Sequence, residues 1–224
     1  MNEVPSEHVT EALHDVASRL GGFFALDTTA TRRLPDAPLT RAGLAERART
    51  VNDRYATAEP RIGVSIAHLG LAARLWSPVL ACALVHGIVP TMRTVEWSGD
   101  GSALRLPRPE GRRAAELPSL AEAIHAEVDG VLERVENGLT VKVAPRLLAG
   151  NSASALVGSA AQLLRSRPDL RTELTRLTRE LLETGRLRDT GRITGPDLTF
   201  RRRSCCLFYR APNGGMCGDC CLVR

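Results

Sequence analysis

The longest apolar run in the chain is LGLAARLWSPVLACALVHGIV, from Leu69 to Val89. Arg74, Pro78 and His86 interrupt it, whereas a membrane span needs about 20 nearly uninterrupted apolar residues. The stretch therefore predicts two buried helices separated at Pro78, the second ending near Gly87, and no transmembrane segment. Cys82, inside the run, is expected to be a small buried apolar side chain.

The composition around this stretch is that of a folded, helix-rich protein. Apolar residues make up 43% of the 224 residues, charged residues 25% and aromatic residues only 4%. The net charge of +5 is spread over 30 basic and 25 acidic residues, and no nucleic-acid-binding motif accompanies it, so we expect no nucleic-acid partner. The first sixteen residues include four acidic ones and no apolar core, which argues against a signal or transit peptide. We expect a cytoplasmic protein, in a compartment where thiols stay reduced.

The sequence indicates that the chain has three parts. Residues 1–93 predict an N-terminal helical part. Residues 94–190 predict a β-hairpin, from TVEWSGDGSALRLP, followed by helices and by a strand that starts at Leu139; Asn151 is expected to cap the next helix. Residues 191–224 predict a C-terminal cysteine-bearing segment. The fold class is mainly α-helical α+β: a helical core, a small β-hairpin or sheet element, and an irregular C-terminal loop that carries most of the cysteines.

Five of the six cysteines lie in CCLFYRAPNGGMCGDCC, residues 205–221. A disulfide framework needs an oxidising compartment, which nothing upstream supports. A thiol–disulfide exchange centre would use CGDC, but the chain offers no helix after this motif whose N-terminus would lower a thiol pKa. Both interpretations are therefore weak.

Two metal centres compete for these cysteines. Two ligand pairs separated by a ten-residue loop suit a structural four-cysteine zinc site, although adjacent cysteines such as Cys205 and Cys206 are unusual for zinc. A [2Fe–2S] cluster also needs four thiolates, two on each iron, and Cys217 and Cys220 have the spacing of a pair on one iron. Spacing alone favours the cluster over zinc only slightly.

The segment RRRSCCLFYRAPNGGMCGDCCLVR resembles the C-terminal signature of the ferric-siderophore reductase family, the FhuF-like proteins. SIAHLGLAARLWSPVLACALVHGIVP and LLAGNSASALVGSA extend a looser resemblance upstream. The resemblance implies a [2Fe–2S] cluster bound by Cys205, Cys206, Cys217 and Cys220, with no catalytic residue beyond the cluster. Cys221 is one cysteine more than the family motif uses.

The resemblance implies an oxidoreductase that passes one electron, by an outer-sphere step, to a ferric siderophore and releases Fe²⁺. An all-cysteine plant-type cluster has a potential of about −400 mV, which favours hydroxamate siderophores as substrates over the tightest catecholates. Expected partners are the ferric siderophore and an electron donor such as a ferredoxin or a flavin reductase; peripheral contact with a membrane stays open. The alternatives are a non-enzymatic helical protein with a four-cysteine zinc site, and an iron–sulfur redox sensor.

For several other residues, a structural interpretation competes with a functional one. Arg201, Arg202 and Arg203 either form a solvated basic run or act on the cluster, by stabilising its reduced state or by docking an acidic donor. His68, His86, Trp76 and Trp97 are expected to belong to the core rather than to a site.

Overall fold

Helices make up most of the fold. Across residues 3–29, 39, 41–98 and 103–223, which are the residues that the computed structural model describes, the helices are α1 (Ser6–Leu20), α2 (Arg41–Arg54), α3 (Pro60–Val85), α4 (Leu120–Glu136), α5 (Pro145–Ser166) and α6 (Arg171–Leu182). Helix α3 is the central one and packs most extensively against α5 and α2, with further contacts to α1 and α4. The mainly helical α+β prediction is confirmed.

The prediction of a helix break at Pro78 is wrong, because α3 runs through this proline to Val85. A proline inside a helix costs about 3 kcal/mol, since one backbone hydrogen bond is lost and the ring clashes with the preceding turn. Here the neighbouring side chains Trp76, Val79 and Leu80 are fully buried. Each such burial stabilises the fold by about 2 kcal/mol, so the packing of α3 offsets the local preference.

Helices α3 and α5 are both long and apolar enough to cross a membrane by length and composition alone. In the structure, however, 67% and 78% of their apolar windows are buried inside the protein. Their apolar side chains thus form the shared core of the fold.

The strands are short and form three small antiparallel sheets. The first contains β1 (Glu3–Val4), β5 (Gly111–Arg113) and β2 (Ile88–Pro90), in that order. The second pairs β3 (Glu96–Trp97) with β4 (Leu104–Arg105), which confirms the predicted hairpin strands; the Gly-Asp-Gly turn lies outside the described residues. The third pairs β6 (Gly191–Ile193) with β7 (Phe200–Arg202), and β7 packs against α5.

Two predictions after α4 need correction. Residues 139–144 form no strand; Leu139, Val141 and Val143 instead pack as an irregular segment against the core, which accounts for their alternating apolar pattern. Helix α5 begins at Pro145, a residue type suited to the first turn, so Asn151 is not its cap. Asn151 lies inside α5 and is fully buried.

Candidate metal centre

The hairpin of β6 and β7 places the cysteine-bearing loop against the helical core. Strand β7 ends at Arg202, three residues before Cys205. The Arg202 backbone N–H donates a 3.1 Å hydrogen bond to the carbonyl oxygen of Asp219, which lies between Cys217 and Cys220. This hydrogen bond brings the two predicted ligand pairs, which lie at opposite ends of the loop, towards each other.

All six cysteines are free thiols. Cys206 and Cys220 are buried, while Cys205, Cys217 and Cys221 are partly exposed. Cys82 lies in the core of α3, where burial raises its pKa to about 12, and so it is the buried apolar side chain that the sequence predicted.

The sulfur atoms come together across the loop. Cys206 Sγ lies 3.4 Å from Cys217 Sγ. Two sulfurs on one tetrahedral metal, at about 2.3 Å each, are about 3.8 Å apart, so this pair has nearly the spacing that a shared metal ion imposes. Cys206, Cys221 and Cys220 each contribute electrostatically to a raised pKa of Cys205.

Within the described residues, no group of three or more His, Cys, Asp or Glu side chains converges tightly enough to hold a single metal ion. The donor chemistry nevertheless fits an iron–sulfur centre, because soft thiolates select zinc, copper(I) and iron–sulfur clusters over hard cations. The thiols of the loop therefore fit a cluster with thiolate ligands.

Backbone N–H groups already point at two of the sulfurs. Leu207 N–H donates to Cys205 Sγ at 3.3 Å, and Leu222 N–H donates to Cys220 Sγ at 3.4 Å. Leu207 adopts the left-handed conformation, with φ of 68°, which bends the chain directly after the adjacent cysteines. Hydrogen bonds to sulfur favour the thiolate form that a metal requires and tune the potential of an iron–sulfur cluster.

Without a metal, two of the thiols are held in the protonated form. The pKa of Cys205 is raised mainly by burial, and the neighbouring cysteines raise it further. The hydrogen bond from the Leu207 N–H lowers it, but by less. Burial and the contacts with Cys206 and Asp219 raise the pKa of Cys217. Metal loading at this site therefore has to displace protons.

A tight turn shapes the loop between the cysteine pairs. A short 3₁₀ turn at Phe208–Arg210 packs the Phe208 ring edge-on against Tyr55, at a centroid distance of 5.3 Å. A Cβ atom on Gly214 would lie 2.0 Å from the carbonyl oxygen of Phe208, so only glycine fits here. Gly215, its neighbour, has open space at the same position.

A buried polar network links the loop to helices α3 and α5, and one of its members, Ser65, is not among the candidates that the sequence suggests. Ser65 Oγ donates to the carbonyl oxygen of Cys206 at 2.7 Å. Asn151 Nδ2 donates to the carbonyl oxygen of Ser65 at 2.8 Å, and Arg202 Nη2 donates to Asn151 Oδ1 at 2.8 Å. A polar side chain on an otherwise apolar helix face was the available signal for Ser65.

The basic run before the cysteines divides into different environments. Arg202 is buried, with 2% exposure, because β7 alternates and places Phe200 and Arg202 on the inner face. Arg203 is exposed and pairs with the exposed Asp189 at 3.0 Å. Arg201 is partly exposed. The interpretation as a uniform solvated run is wrong for Arg202.

The remaining sequence candidates lie outside the cysteine site. Trp76 is buried and donates to Ser152 Oγ at 3.1 Å, and Trp97 is also in the core. His68 is fully buried, with Nε2 2.6 Å from Glu136 Oε1, as expected for a core residue. His86 is not in the core: its side chain is 27% exposed and lies 3.2 Å from Asp15.

The tip of the loop is apolar and open to solvent. Among the described residues, the exposed large apolar side chains are Phe23 and four on the loop: Tyr209, Met216, Leu222 and Val223. Two of these side chains adjoin partly exposed thiols in the sequence: Met216 precedes Cys217, and Leu222 follows Cys221. We call these four loop residues the apolar tip.

The comparisons with known proteins identify this segment. Residues 202–222 match the family model described as the FhuF 2Fe-2S C-terminal domain, and they include all five loop cysteines. This match implies a [2Fe–2S] cluster as the cofactor of the segment and an iron–sulfur redox protein. No curated protein and no solved structure matches the chain.

Proposed function

We propose that this protein is a ferric-siderophore reductase, located in the cytoplasm, whose [2Fe–2S] cluster is held by Cys205, Cys206, Cys217 and Cys220. The observation that carries the proposal is the match of residues 202–222 to the FhuF 2Fe-2S domain, on a loop in which Cys206 Sγ and Cys217 Sγ lie 3.4 Å apart. When bound, such a cluster accepts and donates one electron at a time.

The substrate chemistry requires only that electron. A siderophore holds Fe³⁺ through hard oxygen ligands, and these ligands bind the less charged Fe²⁺ far more weakly. One electron from a reduced ferredoxin or flavin reductase therefore converts the bound Fe³⁺ into Fe²⁺, which dissociates. We propose hydroxamate siderophores as the substrate class, because a potential near −400 mV, which is typical of all-cysteine plant-type clusters, is low enough for them.

The residues of the chain do two things in this proposal: they bury part of the ligand set and leave a route for the electron. Cys206 and Cys220 are buried, whereas Cys205 and Cys217 reach the surface beside the apolar tip. An outer-sphere step needs close approach and no acid–base group, so an open face with an apolar rim suits it. The donor and the ferric complex both have access to this face.

The first experiment tests the cofactor. The protein is purified without oxygen, and its visible spectrum, iron content and zinc content are measured. We expect a brown protein with about two irons per chain whose colour dithionite bleaches, as a [2Fe–2S] cluster requires. A colourless protein that contains zinc instead would mean a structural zinc site and would exclude the reductase.

The second experiment tests the reaction. Reduced protein is mixed with a ferric hydroxamate under argon, and cluster absorbance is followed together with Fe²⁺ captured by a ferrous chelator. We expect one Fe²⁺ for each cluster reoxidised. If the cluster is present but stays reduced in the presence of the ferric complex, an iron–sulfur redox sensor becomes the better assignment.

A further inference from the structure

The buried guanidinium of Arg202 has no carboxylate partner among the described residues. Its Nη2 atom donates to the carbonyl oxygen of Leu147 at 3.3 Å, to Asn151 Oδ1 at 2.8 Å and to Ser204 Oγ at 3.4 Å. Its Nε and Nη1 atoms are buried without a hydrogen-bond partner in the described part of the chain. A buried charge in this state is unfavourable unless an anion lies nearby.

The buried Arg105 and the partly buried Arg186 are both paired with carboxylates. Arg105, which is 6% exposed, binds Glu96 through Nε at 3.0 Å and Nη2 at 2.6 Å. Arg186 binds both Glu136 and Asp129. The carboxylate next to Arg202 in the fold, Asp219, is bonded through Oδ2 to Ser154 instead. Arg202 therefore differs in lacking any such counter-charge in the described structure.

Arg202 is also tied to both cysteine pairs. Its backbone N–H binds the carbonyl of Asp219, between Cys217 and Cys220. Its side chain reaches the carbonyl of Cys206 through Asn151 and Ser65. Arg202 thus belongs to the same hydrogen-bonded network as the backbone of both cysteine pairs.

We infer that Arg202 is the counter-charge of the cluster: a positioning residue that raises the cluster's reduction potential and so makes its reduction easier. The inference rests on the cofactor in the proposed function. Four thiolates and two sulfides outweigh the charge of two ferric ions, so the cluster is an anion, and reduction adds one more negative charge. A fixed buried cation stabilises the reduced form more than the oxidised form, because the attraction grows with the charge.

The test measures the midpoint potential of Arg202→Met, Arg202→Lys and the control Arg203→Met by anaerobic titration. For Arg202→Met we expect the equilibrium constant for reduction to fall about tenfold, which for one electron is about 59 mV more negative. Arg202→Lys keeps the charge and should restore most of the potential. Arg203→Met removes a cation whose side chain is 63% exposed. Because solvent screens this charge, the substitution should leave the potential unchanged.

A second readout is the thermal unfolding of the cluster-free protein. We expect cluster-free Arg202→Met to unfold close to the wild-type temperature, because removal of an uncompensated buried charge offsets the loss of the hydrogen bonds to Asn151 and Leu147. A purely structural role predicts the opposite: a large loss of cluster-free stability with no change in potential, and that result would overturn the inference.

The failures are distinguishable. Wild-type protein without a [2Fe–2S] cluster defeats the proposed function itself. If the wild type has a normal cluster and its midpoint potential equals that of Arg202→Met, only the role of Arg202 is contradicted. If Arg202→Met folds but assembles no cluster, assembly by Arg202→Lys supports the counter-charge, and failure of Arg202→Lys to assemble one contradicts it.

Discussion

Ser65 Oγ donates a 2.7 Å hydrogen bond to the carbonyl oxygen of Cys206, 141 residues further along the chain. The bond is buried and ties the predicted first ligand pair to the central helix α3. It means that the loop is not an independent appendage: the geometry of the thiols depends on the helical core.

We expect Ser65→Ala to weaken cluster retention. The substitution leaves the Cys206 carbonyl without its donor, and an unsatisfied buried polar group costs about 1–3 kcal/mol. The measurement is the rate at which a chelator bleaches the cluster, together with thermal unfolding of the cluster-free protein.

Ser77→Ala is the matched control for this prediction. Ser77 is also buried on α3 and donates to the carbonyl oxygen of Phe23, likewise at 2.7 Å. It lies twelve residues from Ser65, about 18 Å along the helix axis. Ser77→Ala should lower the stability of the protein by a similar amount without faster bleaching of the cluster. Equal bleaching rates in the two variants would contradict a local role for Ser65.

We expect Gly214→Ala to disrupt the loop and Gly215→Ala to be tolerated. A Cβ atom on Gly214 would lie 2.0 Å from the backbone oxygen of Phe208, whereas Gly215 has nothing within 4 Å. Because the clash is with backbone, the turn itself must move, and with it the spacing of Cys206 and Cys217. Iron bound per chain after reconstitution is the measurement, and similar loading of both variants would show that the turn does not position the ligands.

We expect Cys206→Ser to abolish the [2Fe–2S] spectrum and Cys221→Ser to retain it. Cys206 is buried and its sulfur touches that of Cys217, while Cys221 is partly exposed and is the cysteine beyond the family pattern. Cys205→Ser, Cys217→Ser and Cys220→Ser should behave like Cys206→Ser. Loss of the cluster in Cys221→Ser alone would mean that the ligand assignment is wrong.

The pH dependence of stability should involve Glu136. Burial raises the pKa of Glu136, but hydrogen bonds from His68 and Arg186 outweigh burial, so the pKa lies below its ordinary value of 4.5. The stabilising contribution is therefore complete above pH 4.5, the value in the unfolded chain, and is lost as the pH falls through the lower folded pKa. We expect Glu136→Gln to lower the free energy of unfolding at pH 7 by about 1–3 kcal/mol and to flatten its decline below pH 4.5.

Denaturant unfolding of the cluster-free protein between pH 3 and 7 (roughly the range that spans the carboxylate pKa values) measures this effect. Asp169→Asn is the matched control: a hydrogen bond from Arg167 lowers the pKa of Asp169, but this pair is exposed and solvent screens it. The control should leave the pH profile nearly unchanged. An unaltered acid slope in Glu136→Gln would contradict the assignment.

Local sequence patterns are enough to predict the helical character of the chain and the cysteine spacing that the family model matches. They do not predict that α3 continues through Pro78, since the compensating burial comes from residues on other elements. The sequence also predicts that Asn151 caps a helix, and it gives no reason to expect different environments for Arg201, Arg202 and Arg203.

Only the tertiary structure decided those roles. Ser65, Asn151 and Arg202 are far apart in the sequence and become partners when α3, α5 and β7 pack together. The same packing buries Arg202 and leaves Arg203 in solvent. Burial fixes how strongly a charge acts on its neighbours, and burial is a property of the assembled core rather than of the local sequence.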